Sequence, residues 1–80
     1  MPILTPDQEA QVVDALVNLG WLDTQQGLHT EGVNTIREVL QCSREDAVAV
    51  FRDLRLRKVI EEQSEVGVQT RFRWIRSATQ

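Results

Sequence analysis

The side chains best able to do chemistry in this chain of 80 residues are arginines, concentrated towards its C-terminal end. A guanidinium is a planar fork of N–H donors that grips oxyanions such as phosphate and carboxylate without being consumed. Arg44, Arg52, Arg71 and Arg73 are the candidates for such a grip. Each could equally be a surface charge neutralised by a neighbour, as Arg52 or Arg57 could be by Asp53. Bond-making chemistry has little to work with. His29 has no recognised metal-ligand spacing to Cys42 or to the carboxylates, and reads as a solvated loop residue. Cys42 has no histidine or acid placed to activate it and reads as structural. Paired catalytic carboxylates, a phosphate loop and a nucleophile–base set are all missing from the sequence, so neither an enzyme nor a bound cofactor or metal is expected.

Charge sharpens this reading. The chain is acidic overall, with a formal net charge of −3, the wrong sign for an unselective polyanion binder. The imbalance is local: residues 1–42 hold Arg37 against six carboxylates, whereas residues 43–80 hold eight basic and six acidic groups. A cationic surface is therefore expected only in the second half. A single cysteine cannot close an intrachain disulfide, which fits a reducing, cytoplasmic interior. No apolar run approaches the roughly 20 residues of a membrane-spanning helix. Eighty residues make one small domain with an economical core.

The elements that must position the arginines follow from capping and periodicity. Thr5-Pro6-Asp7-Gln8 carries the cap, the first-turn proline and the acceptor of a helix start, predicting a first helix over about 6–19 with Gly20 as its left-handed stop. Its apolar residues (Ala10, Val12, Val13, Ala15, Leu16, Val17, Leu19) spread over roughly 200° at 100° per residue. Such a width implies either a central helix covered on two sides or a homodimer interface. Trp21-Leu22 is expected to fold back on it as an apolar anchor. A polar loop over Asp23–His29, with a very short strand at Leu28 as an option, leads to a second helix over about 33–41 with Ile36, Val39 and Leu40 inward. Ser43 caps a third helix over 44–57, where Ala47, Val50, Phe51 and Leu54 recur at helical spacing. Strands over 59–64 and 68–75 follow, turning at Glu65-Val66-Gly67, where Gly67 supplies a positive φ. Val68, Thr70, Phe72 and Trp74 are expected to face inward, and Gln69, Arg71 and Arg73 outward. Residues 1–4 and 77–80 read as loose ends.

Two helices joined by a very short turn, the second running directly into a strand, make the core of a helix-turn-helix. In its register of Ile36/Val39/Leu40, the Ser43 cap, Ala47/Val50/Phe51/Leu54 and the Val59-Ile60 strand entry, the sequence resembles the winged helix-turn-helix superfamily over most of its length. One departure is Lys58, which stands where that family usually has glycine before the strand. The resemblance implies a single α+β domain of three helices and a C-terminal β-hairpin wing. It also implies binding of double-stranded DNA by a small transcriptional regulator, with the third helix in the major groove and the wing on the backbone. Carried onto this sequence, the DNA-contacting residues would be Arg44, Glu45, Val48, Ala49 and Arg52 on the helix, and Arg71 and Arg73 on the wing. Glu45, Asp46, Asp53 and the acidic wing residues oppose phosphate. The alternative is a winged-helix module that docks a protein partner, favoured by Val48, Ala49 and Leu56 outside the core set and by the acidic balance.

Overall fold

Three hydroxyls start the three helices of the computed structural model, which describes residues 4–77. Thr5 caps α1 (Pro6–Val17), Thr24 caps α2 (Gln25–Leu40) and Ser43 caps α3 (Arg44–Leu56). Each accepts from a backbone amide of the first turn, namely Gln8, Gly27 and Asp46, at 2.9–3.1 Å. At α1 the box is closed, since the Thr5 amide donates to Gln8 Oε1. β1 (Ile60–Glu65) and β2 (Arg71–Arg76) then pair antiparallel, with Ile60 opposite Arg76 and Glu65 opposite Arg71. Leu22 adds a single bridge to Phe72 on the other side of β2. The result is the expected α+β layout, three helices and a hairpin, consistent with a winged helix.

The core forms where the apolar faces meet. Val12, Val13 and Leu16 come from α1, Leu28 and Ile36 from α2, and Ala47, Val50, Phe51 and Leu54 from α3. Ile60 and Trp74 close it from the hairpin. α1 lies against both α2 and β2, the covered arrangement that its wide apolar face allowed. Trp74 is fully buried; its indole N–H donates to the Leu28 carbonyl (3.1 Å), and its ring meets Phe51 edge-on at 5.1 Å. Gly32 makes this approach possible: a β-carbon there would stand 3.0 Å from the Phe51 ring and 3.2 Å from the indole nitrogen.

Several sequence expectations are corrected. α2 begins at Gln25, eight residues before the expected start, because Thr24 caps it and Leu28, Gly32 and Ile36 bury one stripe at four-residue spacing. His29 is thus a helical, half-buried residue, and the short strand falls at Leu22, not Leu28. α1 ends at Val17 and α3 at Leu56, slightly earlier than read, while Gly20 does take a left-handed φ of 75°. The strands lie at 60–65 and 71–76, so Val68 and Thr70 belong to the connecting loop. Val66 and Val68 are exposed, and Gly67 does not adopt a positive φ. Ser77 is buried and its amide donates to the Val59 carbonyl (3.1 Å); residues 1–3 and 78–80 lie outside the described residues.

Lys58, like Gln41 at the end of α2, holds a left-handed backbone without being glycine. It has φ 58°, and the amides of Lys58 and Val59 donate back to the carbonyls of Arg55 and Leu54, the paired bonds of a Schellman turn. That turn reverses α3 into β1, and its left-handed position favours glycine. Lys58→Gly is expected to raise stability by about 0.5–1 kcal/mol, with a melting temperature higher by a few degrees. Gly32→Ala is expected to lower stability by about 1–3 kcal/mol despite alanine's better helix propensity, because Phe51 and Trp74 must yield. Urea denaturation of both variants checks the pair.

Candidate nucleic-acid interface

The core set of α3 leaves the opposite side of the helix free. Arg44, Glu45 and Arg52 are exposed there, with Val48 and Ala49 half-buried between them. Arg44, Val48 and Arg52 follow at four-residue intervals and so align along the helix. Neither Arg44 nor Arg52 enters an ion pair among the described residues. Glu45 and Asp46 occupy the first turn, where the helix dipole favours them.

Other arginines are already engaged. Arg57 donates to Glu9 of α1 and to Asp53 one turn back, tying the start of α1 to the end of α3. Hydrogen bonds to Glu9 first and then to Asp53 raise its pKa above the ordinary arginine value. Arg76 pairs with Asp14. The two wing arginines are held as well: Arg71 by an acidic neighbour, as the sequence allowed, and both by Trp21, which the sequence did not suggest. Arg71 bonds Glu65 (2.9 Å), Arg73 Nε donates to Gln63 Oε1, and their guanidiniums lie 5.2 and 4.5 Å from the Trp21 ring. Trp21 therefore seats the wing arginines, while its neighbour Leu22 packs on the core. The stacking leaves Arg71 exposed and Arg73 half-buried.

A groove of about 500 Å³ opens between α2 and α3. His29 and Val33 form one wall; Val48, Phe51, Arg52, Arg55 and Leu56 form the other. The His29 ring meets Phe51 at 5.6 Å and Trp74 at 5.5 Å, with Nε2 shielded from solvent and 3.7 Å from Glu62 Oε1. Glu62 in turn accepts from Gln25 Nε2 (2.9 and 3.2 Å), so the start of α2 is linked to the first wing strand. Among the described residues no three of His, Cys, Asp and Glu gather as a metal site, and no helix is long and apolar enough to cross a membrane.

No family profile, curated protein or solved structure matches this chain.

The sequence reading located the α3 residues but missed the groove and the Trp21 seat. The groove depended on the early start of α2, for which Thr24 was the available signal. The seat depended on a strand pairing that a single Leu22–Phe72 bridge creates. Trp21→Ala is expected to cost about 1–2 kcal/mol, from two partly exposed cation–π contacts and lost apolar cover. It should also loosen residues 66–73; amide relaxation and thermal melts of the variant check both effects.

Proposed function

We propose that this domain binds double-stranded DNA, with α3 lying in the major groove and the hairpin against the backbone, as in a small transcriptional regulator. The unpaired Arg44–Val48–Arg52 line carries the reading. A guanidinium at either end can take guanine or phosphate, and Val48 and Ala49 between them suit thymine methyls. The layout of three helices and a hairpin supports it, as does the positive balance of residues 43–80. On the wing, Arg71 and Arg73 would meet phosphates already oriented by Trp21, lowering the ordering cost of the contact. The proposal does not require a homodimer. Of the wide apolar face of α1, Val12, Val13 and Leu16 are buried in the chain's own core, Ala15, Val17 and Leu19 are half-buried and Ala10 is exposed.

An NMR titration of labelled protein with a short duplex, at low and then moderate salt, tests this directly. Shifts over residues 44–52 and 66–73 that fade with salt are expected; none at low salt would overturn the proposal. Arg44→Ala and Arg52→Ala should each weaken binding and reduce the slope of log affinity against log salt by about 1. Glu45→Gln should strengthen binding by removing a charge beside the contact surface.

A further inference from the structure

We propose that the groove between α2 and α3 docks an acidic amphipathic helix of a partner protein, one large apolar side chain entering the groove and flanking carboxylates meeting its rim. The floor is apolar: Val33 and Val48 are half-buried, and Phe51, a residue of the core, lines it with them. Leu56 extends this surface at the end of α3 and is 75% exposed, with no element among the described residues covering it. The volume falls in the range of about 300–1,000 Å³ that accepts an organic group. Because the site is an open trough continued by Leu56, it suits a side chain presented on a helix.

Charge selects the partner. The groove lining contains no carboxylate, and its cationic residues Arg52 and Arg55 form no ion pair among the described residues. The Arg55 guanidinium lies 5.6 Å from the Phe51 ring and 5.5 Å from the Trp74 ring. Held on those rings, it loses little freedom when it takes a carboxylate, and the apolar surroundings strengthen the bond. An apolar knob alone would leave both arginines without partners. A duplex offers no large apolar side chain that could fill a groove lined by Val33 and Leu56. This inference is independent of the DNA reading, but Val48 and Arg52 serve both surfaces. Partner and duplex would therefore exclude one another.

The test is selection of a random helical-peptide display library on the purified chain, followed by anisotropy titration of the enriched peptides. Enrichment of Leu, Ile or Phe flanked by Asp or Glu is expected. Leu56→Glu, a change at an exposed position, should weaken those peptides about tenfold or more while leaving the melting temperature intact. In the Arg52→Glu/Arg55→Glu double variant, peptides with Lys in place of Glu should bind better than the originals. Failure to enrich, enrichment without acidic residues, or binding indifferent to Leu56→Glu would each overturn the proposal. Duplex affinity of Leu56→Gln, which places no charge beside Arg52, separates the two readings. It should be unchanged, and its loss in a folded variant would mean that groove and DNA face are one surface, which also overturns a separate docking site. A library that fails beside a duplex that binds would remove the partner and leave the DNA reading standing.

Discussion

The burial of Trp74 is the constraint on which the other contacts depend. An indole removed from water must give its N–H to an acceptor, and here that acceptor is a carbonyl within α2, Leu28. The bond fixes β2 to α2 in one register, because a one-residue slip would turn Trp74 to the outer face of the hairpin. Phe51 of α3 closes edge-on against the same ring, and Gly32 leaves the room that both need. One side chain thus aligns the hairpin with two helices. Truncating a buried aromatic costs about 3–5 kcal/mol, a large share of the 5–15 kcal/mol by which small domains are stable.

With that seat fixed, the arginines of residues 43–80 divide into three kinds. Arg57 and Arg76 tie α1 to α3 and β2, and so act as struts. Arg71 and Arg73 rest on Trp21, and Arg55 on Phe51 and Trp74. Exposed ion pairs add little to stability singly. Their larger effect is on which cations stay available to a ligand: on the outward side of α3, Arg44 and Arg52 retain that role. An acidic protein can in this way present a short cationic line without a basic overall charge.

Much of this fold was legible because its helices begin and end on strong local signals. Thr5-Pro6-Asp7-Gln8 and Ser43 mark their caps plainly, and the Ala47/Val50/Phe51/Leu54 stripe has a clear period. The first half of α2 was hidden because Asp23–His29 read as a polar loop. Helix propensity there yields to tertiary packing: Leu28 supplies the carbonyl, and Gly32 the space, that Trp74 requires. The hairpin was placed too early because alternation continues through Val68 and Thr70, whereas the ladder ends at Arg71 opposite Glu65. The α3 residues could be listed from periodicity alone. Which arginines were free could not, since ion pairs such as Arg57–Glu9 join residues far apart in sequence.

The acidic residues of the first wing strand gain a different meaning from the sheet's order. β1 pairs with β2 on one side, and Leu22 bridges the far side of β2, so β1 carries an edge with no strand partner among the described residues. An unpaired edge offers its amides and carbonyls to any extended chain, including another copy of itself. Glu61, Glu62 and Glu65 crowd that strand with like charge, and antiparallel stacking of two such edges would set carboxylate against carboxylate. The same residues that weaken the hairpin's appeal to phosphate therefore guard the molecule against sticking edge to edge. A wing made more basic to grip nucleic acid would give up part of that protection against aggregation.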